Sequence, residues 1–234
     1  MRPIERGKRP LDEHGKPVQF RTYGDARGYL IERMGQYCSY CNQKLPASLA
    51  VEHVQPKDLK PELELEWENF LLGCTNCNST KGKKEIVLSE FVWPDVHNTH
   101  KALKYNEDGT VEVNDRITDP DLRRKIQNLI DLVGLQKYPD TSDASDRRWK
   151  NRKDAFQKAA LALRLYRYSD AKGAGEEAAT LVAKWAPDSG FFSIWLNTFE
   201  DYKEVKRELI KAFPGTALNA FDKDLNAINR TSKL

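Results

Sequence analysis

The sequence predicts an α+β protein in which a small zinc-stapled strand–strand–helix finger is set in a mostly helical chain. All four cysteines fall into two Cys-x-x-Cys pairs, two short strand patterns lie between the pairs, and beyond residue 100 apolar residues recur mainly at helical spacing. A chain of 234 residues buries roughly 70–75% of the surface its unfolded form exposes, so a core forms without disulfides. The longest uninterrupted apolar run, Ala159 to Leu163, has five residues, far short of the roughly 20 that cross a membrane. The basic stretch Met1 to Pro10 leads into no apolar block of signal-peptide length, and the expected compartment is the cytoplasm. With 38 Lys and Arg against 35 Asp and Glu, the formal net charge is +3, so any attraction to nucleic acid has to come from local clusters.

Cys38 and Cys41 form the first pair and Cys74 and Cys77 the second, with 32 residues between the inner two. A two-residue spacer lets a tight turn aim both sulfurs at one point. Two such turns supply the four thiolates that structural zinc takes at about 2.3 Å. In a reducing compartment this spacing reads as zinc rather than disulfides, and a thioredoxin-like redox pair needs one motif beside a βαβ unit, not two. The interval exceeds the roughly 15–20 residues of a simple zinc ribbon, so the chemistry is sought in the insertion.

Within it, Leu49 to Val54 alternates in strand fashion, carries Glu52 and His53, and stops at Gln55-Pro56. Lys57 to Pro61 is a turn-rich crossing, and Trp67 to Gly73 is an apolar run that delivers the chain to the second cysteine pair. Asn78 to Lys84 then opens a helix with one amide and three lysines. The order is strand, strand, helix around a metal.

The series Cys-x-x-Cys, Glu-His-Val-x-Pro, Trp-x-Asn-x-Leu-Leu and Cys-x-x-Cys-Asn-x-x-Lys-Gly, from Cys38 to Lys84, resembles the HNH endonuclease family with its ββα-metal finger. The flanking Met1-Arg2-Pro3-Ile4, Phe91 to Asp95 and Phe213 to Ala217 resemble the HNH nuclease subunits of Septu and retron-associated anti-phage systems. The resemblance implies a DNA endonuclease that leaves 5′-phosphate and 3′-hydroxyl ends. It also implies a PtuA-like ATPase partner and, in the retron setting, a reverse transcriptase with its msDNA.

Phosphodiester hydrolysis needs a deprotonated water in line with the leaving oxygen, and groups that absorb charge on the phosphate. Neutral His53 suits the base, because an imidazole accepts a proton near physiological pH. By the resemblance, Glu52 and Asn78 hold a catalytic metal, and Asn69 orients His53. Oxygen ligands favour Mg²⁺ or Mn²⁺, which makes this metal distinct from the zinc. Glu52 stands where the family often has Asp, one methylene longer. Asn78 suits a helix cap as well as a ligand.

Lys81, Lys83 and Lys84 are candidate phosphate contacts, and so are Arg147, Arg148 and Arg152 in Arg147 to Lys153, which packs five bases into seven residues around Trp149. A solvated face explains both runs equally well. His97 and His100 read as loop residues, and His14 carries no functional reading. Outside the finger, a helix is expected over 25–35, a hairpin around Asp108-Gly109 within Lys104 to Val113, and a loop and cap over Thr141 to Asp146. Two helical stripes follow: Trp149, Phe156, Ala159, Ala160, Leu163 and Tyr166, then Phe199, Tyr202, Val205, Leu209, Ile210 and Phe213 before Pro214-Gly215.

The expected organisation is a nuclease module over 1–100 and a helical, partner- or DNA-contacting region over 101–234. Two other readings compete with an ATPase-controlled nuclease. One is a non-catalytic zinc module that binds nucleic acid or protein, and the other is a standalone restriction-type HNH nuclease.

Overall fold

The structure is a computed structural model and describes residues 1–138 and 145–230; of the expected loop and cap over Thr141 to Asp146, residues 141–144 lie outside them. Helix α1 (Arg27–Met34) follows a short 3-10 turn at Tyr23–Ala26 and buries Leu30 and Met34. Strands β1 (Leu49–His53) and β2 (Phe70–Cys74) pair antiparallel, with Ala50 opposite Gly73, Glu52 opposite Leu71 and His53 opposite Phe70. Helix α2 (Thr75–Lys81) leaves β2 without a loop, because Cys74 ends the strand and caps the helix at once. This helix begins before Cys77, three residues earlier than the sequence suggests, since the Cys74 sulfur does the capping in place of a hydroxyl or amide.

Beyond the finger come α3 (Thr99–Ala102) and the hairpin β3 (Leu103–Tyr105) and β4 (Val111–Val113), which turns at Asp108-Gly109 as expected. Five more helices follow: α4 (Pro120–Val133), α5 (Arg148–Asp170), α6 (Gly175–Ser189), α7 (Phe192–Thr198) and α8 (Lys203–Ala212). Helix α8 buries Val205, Leu209 and Ile210, in agreement with its stripe. Helix α5 does not follow its expected stripe. Its buried positions are Arg148, Arg152, Ala155, Ala159, Ala162 and Tyr166, whereas Ala160 is exposed and Trp149, Phe156 and Leu163 are only partly covered. Small side chains let α5 approach α6 and α7 closely, which turns its larger apolar groups outward.

Segments distant in sequence tie the finger to the helices. Near the start of the chain, Ile4 bridges to Thr216, Pro3 accepts from the Ala217 N–H, and Arg2 donates to the Met34 carbonyl at 2.6 Å. After the first cysteine pair, Gln43 bridges to Gly190, and Phe191 donates to the Asn42 carbonyl at 2.8 Å. No helix among the described residues is long and apolar enough to cross a membrane.

At the hairpin tip Gly109 sits at φ +93°, its carbonyl accepts from Arg152 Nε at 2.6 Å, and a side chain there would run into the Trp149 carbonyl. Gly173 has a similar φ of +80° but open space around it. Gly109→Ala should therefore lower the urea midpoint by more than Gly173→Ala, with a cost beyond about 1 kcal/mol. Equal shifts in the two denaturation curves would mean that α5 is not docked on the hairpin this closely.

Candidate active site

The two cysteine turns reach one point by different routes. Cys38 to Cys41 closes through Asn42, a left-handed residue at φ 61° that donates to the Cys38 carbonyl at 2.9 Å and accepts from the Phe192 N–H through Oδ1 at 2.7 Å. Cys74 accepts the Cys77 N–H at 3.4 Å, so the first turn of α2 delivers Cys77 to the same side. All four sulfurs are buried and lie within 4.8 Å of one another. Cys41 and Cys74 are 3.7 Å apart. That matches the edge of about 3.8 Å expected for a tetrahedron with metal–sulfur bonds of about 2.3 Å, so the residues fit structural zinc.

Arg148 completes this cluster. Its Nη1 donates to Cys77 Sγ at 3.0 Å and to the Val133 carbonyl, Nη2 donates to the Gly134 carbonyl, and Asp146 receives Nε and Nη2 on its carboxylate. Asp146 also accepts from the Arg148 backbone N–H and from Asn76, which joins α2 to the start of α5. Arg148 and Arg152 were candidate phosphate contacts, and the structure overturns both. They are 3% and 1% exposed; the Arg148 donors go to thiol, carboxylate and backbone carbonyls, and Arg152 gives Nε and Nη2 to the Gly109 and Leu135 carbonyls while its Nη1 is buried without a partner among the described residues. Of that cluster's three candidates Arg147 alone remains exposed.

On the other side of β1 and β2 lie the expected catalytic residues. His53 ends β1, packed edge-on against Tyr23 at 5.0 Å and Phe70 at 5.3 Å. Its Nε2 lies 3.0 Å from the Glu64 carbonyl, which can only accept, so Nε2 carries the proton and Nδ1 keeps its lone pair. Burial holds the His53 pKa below the usual 6.5. The Glu64 carbonyl bond opposes this, and the cations Lys57 and Lys81 add to it.

Asn69 makes no hydrogen bond to His53. Its amide brackets Gln55, accepting from the N–H at 2.8 Å and donating to the carbonyl at 2.9 Å, and reaches the Leu63 carbonyl at 3.2 Å. Any orienting effect therefore runs through the loop that carries Glu64, rather than through contact with the imidazole.

Glu52 points to α2. Gly73 lies beside it, and a Cβ there would stand 3.1 Å from Glu52 Cβ, a tight contact, and 3.6 Å from Asn78 Cβ. The missing side chain leaves a cradle bounded by Glu52 and Asn78. Asn78 lies inside α2 rather than at its cap, and its side-chain amide holds no hydrogen bond among the described residues. Two oxygen donors at such a cradle suit a hard divalent cation.

Lys81, another candidate phosphate contact, is overturned as well. It is 1% exposed, with Nζ 2.9 Å from Glu52 Oε1 and donating to the His53 carbonyl at 2.7 Å. Burial raises the Glu52 pKa, and the Lys81 ammonium counters that rise. Lys83 and Lys84 are exposed, and Lys83 pairs with Asp58. His97 Nδ1 accepts from the Trp93 N–H at 2.9 Å, a local turn contact.

The sequence reading missed the Glu64 carbonyl, Tyr23, Lys81 in its buried role, Gly73 and Arg148. Gly73 alone had a signal, since an isolated glycine in a strand marks close approach of another group.

This arrangement is a base with a fixed tautomer and an oxygen-lined cradle, both on a cysteine-stapled ββα unit. Residues 38–84 match the HNH endonuclease family. The match runs from the first cysteine, Cys38, to three residues past α2. A Septu protein PtuB from Bacillus thuringiensis is 37% identical over 70 residues, and the match covers 27% of each chain. The aligned stretch therefore spans about a quarter of that relative's length.

Arg148→Met leaves Asp146 buried and uncompensated, which should cost about 3–5 kcal/mol. It should also weaken zinc retention about 10- to 100-fold in competition with a chromogenic chelator. Zinc content should be one ion per chain by elemental analysis, in keeping with a single four-sulfur cluster among the described residues. Unchanged retention in the variant would show that the guanidinium does not support the thiolates.

Proposed function

We propose that the chain is a divalent-metal-dependent DNA endonuclease, the effector nuclease of an anti-phage defence assembly controlled by an ATPase partner. The observation that carries the nuclease reading is His53, held as the Nε2–H tautomer by Glu64 with its Nδ1 free and next in sequence to Glu52 of the Glu52–Gly73–Asn78 cradle. The likeness to a Septu PtuB supports the defence setting and the partner, and the retron-associated setting rests on the sequence resemblance alone.

In the reaction, His53 Nδ1 accepts a proton from water as the water oxygen bonds to phosphorus. The P–O3′ bond breaks and the departing oxygen takes a proton from solvent, leaving a 5′-phosphate and a 3′-hydroxyl. Glu52 and Asn78 would hold Mg²⁺ or Mn²⁺, whose charge stabilises the pentavalent phosphate and the departing oxygen. Lys81 favours the ionised form of Glu52 against burial and ties its position to the His53 backbone. Of the expected phosphate contacts, Lys83, Lys84 and Arg147 are the exposed cations left to meet the phosphate backbone. The modest net charge fits an enzyme brought to DNA by a partner rather than by long-range attraction.

Purified protein, alone and with a co-expressed ATPase, should nick supercoiled plasmid only with Mg²⁺ or Mn²⁺ present. His53→Ala should lower the rate about 10²- to 10⁴-fold without loss of zinc. Absence of nicking in every arm, with zinc bound and the fold intact, would leave a binding module. Cutting at defined sites without a partner would favour the standalone enzyme.

The pH profile follows from the depressed His53 pKa. A base with a lowered pKa is already neutral at pH 7, so the rate should rise with pH, reach its midpoint below 6.5 and be flat through neutrality. A midpoint above 6.5 would contradict the buried, Nε2-donating imidazole.

A further inference from the structure

Helices α5 and α6 present an apolar face to solvent. Leu161, Leu165 and Tyr168 recur one turn apart on α5, Leu181 and Trp185 do so on α6, and the five range from 47% to 69% exposed. They are not core residues caught at an edge. The α5–α6 contact is already closed through Ala155, Ala159, Ala162, Ala179, Val182 and Ala186, which leaves the larger side chains outside it. Leu161, Leu165 and Trp185 surround an indentation of about 220 Å³ floored by Ala162 and Trp195. Contiguous exposed apolar surface of this kind marks an interaction site, and a groove between two helices takes side-chain knobs from a third.

Charge around the groove narrows the occupant. Lys158 lines it, while Arg164 and Lys184 flank it, all exposed and without an ion pair among the described residues. The acidic groups on the same two helices stand toward the ends: Asp154 one turn before Lys158, Asp170 at the end of α5, Glu176 and Glu177 at the start of α6, and Asp188, which is paired with Lys44. We propose that this groove seats an amphipathic helix of another protein, with leucine-like side chains on the seated face and carboxylates along its flanks. A second copy docked through the same face would set these cations against one another. A bilayer would meet a concave seat rather than a flat or convex apolar face. The inference rests on the exposed face alone and does not depend on the nuclease reading.

The probe is a fluorescein-labelled helical peptide of roughly 16 residues with leucines at i, i+4, i+7 and i+11 and glutamates on both flanks. It is titrated into the full chain by anisotropy, beside one peptide with lysine flanks and one with the leucines scattered around the helix. The glutamate-flanked helix should bind saturably, and neither control should. Leu165→Asp and Trp185→Ala, surface changes checked by circular dichroism, should each weaken it about tenfold or more. The charge reversal Lys158→Glu with Lys184→Glu should shift preference to the lysine-flanked helix, a gain that a misfolded variant would not produce.

Equal binding of all three peptides, or none by any, would overturn the proposal. So would co-sedimentation of the chain with phosphatidylserine-containing vesicles, or concentration-dependent self-association, if Leu165→Asp abolished it.

Discussion

Four buried sulfurs within 4.8 Å constrain everything around them. Thiolates at that separation repel in a low-dielectric interior unless a cation neutralises them, so metal binding and folding of this module are one equilibrium. The geometry that satisfies the sulfurs also fixes the rest. Cys74 ends β2 and caps α2, which aims Asn78 and Lys81 back across the sheet at Glu52 and His53. On the far side, Arg148 carries the same constraint into the helical region by joining Cys77, the end of α4 and Asp146. The cluster therefore couples the candidate active site to the α5 scaffold through packed contacts rather than through a flexible connection.

The two faces of the β1–β2 unit divide the chemistry. Adjacent strand residues point opposite ways, so Glu52 turns to the α2 cradle while His53 turns to Tyr23 and Phe70. The aromatic edges lower the polarity around the imidazole and keep it neutral. A backbone carbonyl then settles which nitrogen is free. The carboxylate is also disfavoured in its charged form by burial, which raises its pKa, and a wholly buried lysine opposes that rise.

Much of this finger was legible in the sequence, because its signals are local. Cysteine spacing, the alternation from Leu49 to Val54 and the Glu52-His53 pair need no knowledge of distant neighbours. What stayed hidden depends on contacts across the chain. The Glu64 carbonyl is backbone and leaves no residue signature, and Lys81 reads as one of three surface lysines until α2 turns it inward. The basic run at the start of α5 was misread for a physical reason. Arg148 and Arg152 sit in the same helical register as Ala155, Ala159, Ala162 and Tyr166, but the stripe of larger apolar residues drew the reading to another face. Alanines won the core because they let helices approach closely, and the arginines beside them were buried with them.

The claim on which the functional reading rests is that Glu52 and Asn78, spaced by Gly73, form a divalent-cation site separate from the sulfurs. Mn²⁺ binding to the zinc-loaded chain, followed by electron paramagnetic resonance, tests it without recourse to activity. The account predicts a saturable Mn²⁺ site, zinc content unchanged, that is lost in Glu52→Gln and weakened in Gly73→Ala. Mn²⁺ binding that is absent, or equally strong in both variants, would contradict it.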